Sequence, residues 1–496
     1  MKKSDETKLV DFFNPRDTVT PASSSESKTL RYQAANVHDF AWFTDKRYRV
    51  LHDEVELPNS KKKVDCWAMF TNMQGELWRK GAKYVSDAVY YYSLWNGDYP
   101  YPHATAVDGA LSAGGGMEYP MITVIGSSGS AESLDRVIAH EVGHNWFYGI
   151  LGSNERDHAW MDEGVNSFNE QRYMEKKYPK DSVSSRMQAS VGGMQLNIGK
   201  LLGIPDLSEK TLYDLGYRFN AVRKLDQPCD LHSAEYSSIN YGTVVYGKTA
   251  VVLTYLQTYL GTELYDKCAQ AYYEKWKFKH PYPEDMRKVY EEVSGKDLSW
   301  FFKEIIPTTK QIDYKIKSAS NKGPVEGGLF QYEVKVKNKG KIVSPFSVSA
   351  IKDGRIVSTT WFEGIEGVGK VNMNAKDFDH LKIDAQNNIP DLNRQNNRLK
   401  MRGLCKKTEP FNLKMVGVIK NPDKTQLFWA PVIGWNYYNK FMLGAAIYNN
   451  LLPEKKFEFV LMPMYGLGNN DLAGGASVHY NIHLDLSLIH ISEPTR

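Results

Sequence analysis

Two histidines and a glutamate in the segment HEVGH, residues 140–144, could together bind a metal ion and activate water. His140 and His144 lie four residues apart, so on a helix both imidazoles project from one face and can bind the same ion. Glu141 lies next to the first of them, where it could take a proton from water and later deliver it to a leaving amine. The pentapeptide therefore indicates metal-assisted hydrolysis.

A catalytic zinc site needs a third protein ligand besides the two histidines and leaves a fourth position open. Glu163, in the segment WMDEGVNSFNEQRY, follows His144 by 19 residues on the next predicted helix. Glu170 is seven residues further on and lies on the same helical face, so it could orient a ligand histidine, although a solvated or capping role fits it equally well. We therefore predict one Zn²⁺ bound by His140, His144 and Glu163.

The helix that must carry HEVGH is supported by the residues around it. Ser130 can cap its N-terminus, Glu132 lies in its first turn, and apolar residues recur along one side. Helical spacing continues through the middle of the chain, which predicts helices at residues 77–92, 131–148, 160–177, 246–260, 263–278 and 283–304.

The segments on either side of this helical region have the patterns of strands. The segment TLRYQAANV, residues 29–37, predicts a strand, and residues 311–385 alternate in period two around the turn signals KNKG and KDGR, as in a small β-sandwich. Beyond a polar linker, aromatic-rich segments of roughly ten residues each have the length and alternating pattern of strands in an outer-membrane barrel. A soluble antiparallel sheet fits the same pattern. So few strands predict an incomplete barrel.

The composition excludes some partners and leaves the compartment open. Lysine and arginine number 62 against 58 acidic residues, and this net charge of +4 argues against a nucleic-acid partner. No apolar run is long enough for a membrane-spanning helix, and the start lacks the apolar stretch of a signal peptide. The abrupt change after a Ser- and Thr-rich start and the unpatterned last residues lead us to interpret the chain as a fragment.

The motifs resemble those of the gluzincin aminopeptidases of the aminopeptidase N and leukotriene hydrolase type. HEVGHNW is followed at the family spacing by Glu163-Gly164, and GGGMEYP at residues 114–120 resembles the G-x-M-E-N segment. VVYGKTAVVL resembles the helix start Y-x-K-G-x. The resemblance implies a multidomain α+β protein with a thermolysin-like, mainly helical catalytic domain, and then a β-sandwich and antiparallel barrel-like strands.

The predicted domains follow these patterns and the resemblance. They are a remnant of an N-terminal β-domain with a disordered start at 1–45, the zinc peptidase domain at 46–308, the β-sandwich at 309–390, a linker at 391–408, a partial barrel-like β-domain at 409–486 and an artefactual tail at 487–496.

The resemblance also implies how a peptide would be bound. The backbone of Gly115, Gly116 and Met117 would pair with the substrate, and Glu118 would bind its free α-amino group. A charge-assisted bond of this kind makes a peptidase recognise the N-terminus. Without the zinc site nearby, Glu118 would fit a surface position on a strand equally well. Tyr119 replaces the family's usual Asn, which alters the hydrogen bonding of this strand.

A tyrosine is expected to stabilise the oxyanion. The family match assigns this role to Tyr246, which alone would fit packing on a helix face better, and Tyr241 is the competing candidate. The function implied is a zinc aminopeptidase acting on peptides with a free N-terminus. The C-terminal strands resemble those of bacterial homologues joined to an outer-membrane-like β-domain. They suggest outer-membrane association and a location in the bacterial periplasm or outer membrane. The alternative function is that of an outer-membrane-anchored binding or assembly protein with a secondary or endopeptidase activity.

Overall fold

The computed structural model describes most of the chain. Neither the predicted tail at 487–496 nor most of the predicted disordered start falls in the described residues, which are 12–15, 22–109, 111, 114–179, 188–191, 194–197, 208–403, 405–417, 419–421 and 423–483.

The described helices concentrate between residues 72 and 305. The α-helices are α1 (Gly75–Trp78), α2 (Gly81–Asn96), α3 (Ala131–Gly143), α4 (Val165–Lys177), α5 (Glu209–Val222), α6 (Ser238–Asn240), α7 (Thr249–Leu260), α8 (Thr262–Trp276) and α9 (Pro283–Ser294). π-Helical segments lie at Trp160–Gly164, Tyr241–Lys248 and Trp300–Ile305, and 3₁₀ turns at Asn72–Gln74, Ser233–Glu235, Glu326–Gly328 and Arg394–Asn397.

The described strands fall into two groups before residue 200 and one long series after residue 313. They are β1 (Arg49–Glu56), β2 (Lys63–Phe70), β3 (His103–Asp108), β4 (Gly116–Met117), β5 (Ile122–Ile125), β6 (Gln188–Val191), β7 (Met194–Asn197), β8 (Tyr314–Val325), β9 (Leu329–Asn338), β10 (Phe346–Lys352), β11 (Arg355–Phe362), β12 (Val368–Ala375), β13 (His380–Ile383), β14 (Arg398–Lys400), β15 (Phe411–Met415), β16 (Thr425–Asn436), β17 (Lys440–Tyr448), β18 (Phe457–Gly466) and β19 (Asp471–Tyr480).

The chain forms two compact units. The first comprises residues 1–179, 230–237 and 260–298, and the second comprises residues 180–229, 238–259 and 299–496. The architecture is α+β, with a helical region and several sheets. The predicted domain boundaries and the likeness to thermolysin stay predictions.

The first unit is built on a five-stranded sheet with the order β1-β2-β3-β5-β4. Strands β2, β3 and β5 run parallel, while β1 and β4 pair antiparallel with their neighbours. Helix α2 packs on β1, β2 and β3, and helix α3 packs on α2 and β5. The short strand β4 lies at the edge, so it pairs with one strand only.

Helix α3 begins as its sequence predicts and ends earlier. The Ser130 hydroxyl accepts a hydrogen bond from the backbone N–H of Ser133 at 3.1 Å, which caps the N-terminus. The last helical residue is Gly143, and the prediction of a helix to residue 148 is therefore wrong. Hydrogen bonds between residues three apart, such as Trp146 N–H to Gly143 O, end the helix. Tyr148, with a φ of 104°, then changes the direction of the chain.

The strand predicted at residues 29–37 is also wrong. The described residues 22–48 contain no strand, and the side chains of Leu30 and Tyr32 are mainly exposed. Apolar alternation forms a strand only where a neighbouring strand supplies hydrogen-bond partners, and none is paired with this segment in the described structure.

The second unit contains two sheets from the region with the sandwich pattern. Strands β11-β10-β13-β14 form one sheet and β12-β9-β8 form the other. They contact each other where the ring of Tyr314 on β8 stacks on Phe346 of β10, with centroids 4.6 Å apart, and the Tyr314 hydroxyl donates to the carbonyl of Ser344.

The last strands of the second unit form a five-stranded sheet in sequence order, β15-β16-β17-β18-β19. The first pair is parallel and the others are antiparallel. Strands β15 and β19 are the two edges, so the described sheet is open. Among the described helices, none has the length and hydropathy needed to cross a membrane.

Candidate active site

Three side chains in the first unit bring donor atoms to one point. The Nε2 atoms of His140 and His144 lie 3.1 Å apart, and Glu163 Oε2 lies 3.2 Å from the first and 3.3 Å from the second. Tetrahedral zinc with ligand bonds near 2 Å requires donor atoms about 3.3 Å apart. The three residues therefore fit the coordination of one zinc ion.

Helix α3 aligns the two histidines, and a π-helical turn, which is wider than an α-helical one, positions Glu163. Residues Trp160–Gly164 form a π-helical turn before α4, so the consecutive side chains of Asp162 and Glu163 both reach His144. Asp162 Oδ1 lies 2.6 Å from Nδ1 of His144, and Glu163 lies on the Nε2 side of the same ring. Such turns are inserted mainly at functional sites.

Asp162 is a functional residue that the sequence reasoning missed. A carboxylate at Nδ1 holds the proton there and leaves Nε2 as the metal-binding atom. Asp162 is only 2% exposed, so its position is set by packing. The signal was present in the acidic pair Asp162-Glu163, but helical spacing alone predicts that neighbouring residues point in different directions.

Glu170 holds the other histidine in the corresponding way. Its Oε2 lies 3.0 Å from Nδ1 of His140, and its Oε1 lies 3.5 Å from Nε of Arg136. Glu170 is 5% exposed, so its environment does not fit the alternative prediction of a solvated side chain. Arg136 precedes His140 by one helical turn and supplies the positive charge that stabilises this buried carboxylate.

The carboxylates beside the two histidines favour positive charge at this point, whether as protons or as a cation. Burial alone would lower the pKa of His140, but hydrogen bonds to Glu163 and Glu170 outweigh it and raise the pKa to about 10. Burial would likewise raise the pKa of Glu163, but the imidazoles of His144 and His140 hold it well below its ordinary value. The same field favours a metal cation in place of the protons.

Glu141 lies beside this point but makes none of the described contacts with the three donors. Its side chain is 5% exposed, and its Oε2 has no hydrogen-bond partner among the described residues. Burial is the main reason that the pKa of Glu141 rises to about 7. A buried oxygen without a partner is available to a proton on substrate or water.

Strand β4 passes directly against Glu141. A Cβ atom on Gly116 would lie 2.4 Å from Cγ of Glu141, so only glycine fits there. Gly115 has a φ of +66°, and its carbonyl accepts a hydrogen bond from the backbone N–H of Gly126 at 2.8 Å. Met117, which is 37% exposed, pairs only with β5 on one side. The edge of β4 could therefore take up an extended peptide.

Glu118 follows β4 and comes close to the same group. One carboxylate oxygen of Glu118, one of Glu141 and one ring nitrogen of His144 lie within 4.8 Å of one another. Tyr119, the next residue, places its ring 6.4 Å from that of Phe43. The first unit thus brings together the predicted ligands, the predicted base and the predicted peptide-binding segment.

The two tyrosines considered for the oxyanion belong to the second unit. Tyr241 and Tyr246 lie in the π-helical segment Tyr241–Lys248, with ring centroids 5.9 Å apart, and both are half-buried. Their surroundings do not distinguish them, and the choice between them stays a prediction.

Known proteins share this part of the chain. Residues 88–305 match the family described as the peptidase family M1 domain. The match covers less than half of the chain. The matched span includes HEVGH, Glu118 and Glu163, and the M1 domain thereby covers every predicted metal ligand.

Curated aminopeptidases also match part of this chain. Aminopeptidase M1-C of Oryza sativa subsp. japonica is 24% identical over 252 residues, which are 48% of this chain and 26% of that protein. Leucine aminopeptidase 2 of Pyricularia oryzae is 30% identical over 165 residues, 33% of this chain and 24% of that protein. Aminopeptidase N of Lactococcus lactis subsp. lactis is 23% identical over 183 residues, 37% of this chain and 19% of that protein.

This chain spans about a quarter of the length of the curated relatives that it matches. The M1 domain and these relatives support a peptidase, that is, a hydrolase of peptide bonds. Among solved structures, the crystal structure of Legionella pneumophila aminopeptidase A in complex with aspartic acid aligns with a TM-score of 0.48 and 12% identity, over 66% of this chain and 36% of that chain.

Proposed function

We propose that this protein is a zinc-dependent aminopeptidase that releases N-terminal residues from peptides. The observation that carries the proposal is the convergence of His140, His144 and Glu163, whose donor atoms are spaced at 3.1 to 3.3 Å as tetrahedral zinc requires. When bound, zinc would polarise the scissile carbonyl and make water a stronger nucleophile.

The remaining chemistry belongs to side chains of this chain. Glu141 presents a buried oxygen without a partner, so it can accept the proton of the attacking water and donate it to the leaving amine. Asp162 and Glu170 fix the ring orientation of the two histidines from their Nδ1 atoms. Tyr246, or Tyr241 in its place, would donate its hydroxyl to the oxyanion.

Recognition of the N-terminus would come from Glu118 and strand β4. The free edge of β4 suits pairing with an extended peptide, and the carboxylate of Glu118, within 4.8 Å of the Glu141 and His144 atoms, suits an α-ammonium group beside the scissile bond. The aminopeptidase names of the relatives favour the same substrate class.

The hydrolytic role of Glu141 is tested with aminoacyl fluorogenic amides. We expect Glu141→Gln to lower kcat by about 10²–10⁴-fold because the amide cannot accept a proton. Bound zinc, measured by elemental analysis, should be unchanged. Glu132→Gln is the matched control, since Glu132 lies in the first turn of the same helix. Equal activity of Glu141→Gln and the wild type would refute the proposal.

The exopeptidase role of Glu118 is tested by comparing a peptide with its N-acetylated form. We expect the wild type to prefer the free amine and Glu118→Ala to lose most of that preference, because an ion pair with the ammonium disappears. If Glu118→Ala keeps the preference while overall activity is retained, Glu118 does not bind the ammonium group. Equal cleavage of the free and the N-acetylated peptide by the wild type would make an endopeptidase the better assignment.

A second role, association with a lipid surface, is favoured by one face of the C-terminal sheet. The cross-strand registers place apolar residues in rows on one face, for example Trp429, Ile447, Leu461 and Ala476, and Ile433, Leu443, Tyr465 and Leu472. Many of them are exposed, such as Ile433 at 72% and Leu472 at 81%. An exposed face without charge supports contact with lipid and an envelope location.

Vesicle flotation tests this second role. We expect the protein to float with phosphatidylcholine vesicles and Leu443→Glu to weaken the association, because a charge would enter the apolar face. Ser477→Glu is the control, since the registers place Ser477 on the opposite face. Equal flotation of both variants would argue against lipid contact through this face.

A further inference from the structure

A cavity of about 560 Å³ lies in the second unit, and none of the residues assigned a role above lines it. Helix α5, the segment between β13 and β14, and strands β15 and β16 with their connection line it. Its lining is strongly basic: two aspartates, Asp214 and Asp423, face six basic residues, which are Lys210, Arg218, Arg394, Lys414, Lys420 and Lys424.

The first aspartate is shared by two arginines. Arg394 donates to both oxygens of Asp214, at 2.6 and 2.8 Å, and Arg218 donates from Nε to one of them at 2.9 Å. Arg394 also donates to the backbone carbonyl of Ile389, so it is held in place. Asp384 and Asp391, which are also buried, act on Arg394 electrostatically, so more than one carboxylate compensates this arginine pair.

Arg218 has guanidinium donors that Asp214 does not use. It is 6% exposed and lines the cavity, and among the described residues its side chain donates only through Nε. The nitrogens at the end of its guanidinium group are therefore available as donors. A buried guanidinium group of this kind normally binds an anion through its paired N–H groups.

Lys420 adds a further cationic group to the lining. In the described part of the chain its ammonium group makes neither a hydrogen bond nor an ion pair, and burial, followed by the charges of Arg218 and Lys455, lowers its pKa to about 8. The second aspartate does not compensate it, because Asp423 binds Lys382 at 2.6 Å. A buried arginine with donors that Asp214 does not use and a half-buried lysine without a described hydrogen bond or ion pair thus line one cavity.

We propose that this cavity binds the phosphate group of a ligand between Arg218 and Lys420. Basic residues outnumber acidic ones six to two in the lining, and a guanidinium and an ammonium group supply charge-assisted donors for the oxygens of a phosphate. Apolar side chains of Leu215, Ile419 and Phe428 also line the cavity. They leave space for an organic part of the ligand beyond the phosphate.

Isothermal titration of the full chain with inorganic phosphate, at constant ionic strength set with chloride, tests the site. We expect saturable binding by the wild type and a roughly tenfold higher Kd for Lys420→Gln, because one charge-assisted hydrogen bond is lost. Lys337→Gln, at an exposed position on β9, is the matched control and should bind like the wild type. Absence of saturable binding, or the same Kd for Lys420→Gln and the wild type, would overturn the proposal.

Arg218→Gln is less suitable as the main variant because it would leave Asp214 with one partner fewer and could prevent folding. A second titration identifies the source of the phosphate. Vesicles of phosphatidylcholine containing phosphatidic acid present a phosphate monoester on a lipid, and the comparison uses wild type and Lys420→Gln. Binding that depends on Lys420 assigns the site to a lipid headgroup, and binding that does not depend on it assigns the site to a soluble phosphate monoester.

Discussion

At the residue scale, each ligand histidine of the proposed metal site is fixed from behind by a carboxylate. Asp162 binds Nδ1 of His144 and Glu170 binds Nδ1 of His140, so both rings present Nε2 to the same point. Carboxylates in this position set the tautomer and increase the basicity of the ligand. The two contacts explain how two rings stay aligned although both lie on a single helix face.

Removal of the carboxylate of Asp162 should weaken metal binding more than it weakens folding. We expect Asp162→Leu to lower zinc affinity by about 10–100-fold, since His144 would lose the group that fixes its ring. Competition with a fluorescent zinc chelator measures the affinity directly. Asp157→Leu, in the exposed loop five residues earlier, should leave it unchanged; the same affinity for both variants would exclude an orienting role for Asp162.

At the element scale, the site depends on the contact between helices α3 and α4. Asn166 on α4 donates from Nδ2 to the backbone carbonyl of His140 at 2.7 Å, and the hydroxyl of Tyr92 on α2 donates to Oδ1 of Asn166 at 2.9 Å. Three helices are thereby joined directly behind the first metal ligand. Gly143 leaves the space in which this contact is made.

Gly143→Ala should separate these helices. A Cβ atom there would lie 2.1 Å from Oδ1 of Asn166 and 2.4 Å from the Tyr92 ring, so we expect a loss of about 1–3 kcal/mol in the free energy of unfolding. Chemical denaturation followed by circular dichroism measures it. Gly242→Ala, where a Cβ atom meets nothing within 4 Å, is the control. Equal stability of the two variants would show that the helices adjust to the methyl group.

At the scale of the whole molecule, pH should change stability through an ion pair that closes the first unit. His158 Nδ1 lies 2.6 Å from Oδ1 of Asp230. Both residues belong to the first unit, although the chain between them enters the second unit. The hydrogen bond to Asp230 outweighs burial and raises the pKa of His158. Such a pair links distant parts of the sequence.

The raised pKa of His158 determines whether stability rises or falls with pH. A histidine whose pKa is raised on folding stabilises the protein fully below its unfolded pKa of about 6.5, and the stabilisation is lost as pH rises through the folded pKa. We expect the Tm of the wild type to fall more than that of His158→Gln between about pH 5.5 and pH 9. His280→Gln is the control, since His280 Nδ1 contacts the carbonyl of Gly152 instead of a carboxylate. Parallel Tm profiles for the wild type and His158→Gln would contradict the prediction.

Local pattern was informative where a helix or strand is stabilised by its own residues. The helix that carries HEVGH was predicted to start at residue 131, and it does, because Ser130 supplies the cap within the segment itself. The strand predicted at residues 29–37 was wrong because a strand depends on partners elsewhere in the chain. The early end of α3 was missed because Tyr148 adopts a positive φ that its side chain does not favour.

The sequence by itself determined the chemistry of the candidate site, because ligand types and their spacing on a helix are local properties. It could identify His140, His144 and Glu163, and it could align them with a peptidase family. Only the tertiary structure decided the environment: the π-helical turn that brings Asp162 to His144, the approach of Gly116 to Glu141, and the basic cavity around Arg218. These features join residues that are distant in sequence or oppose helical periodicity, and packing alone brings them into contact.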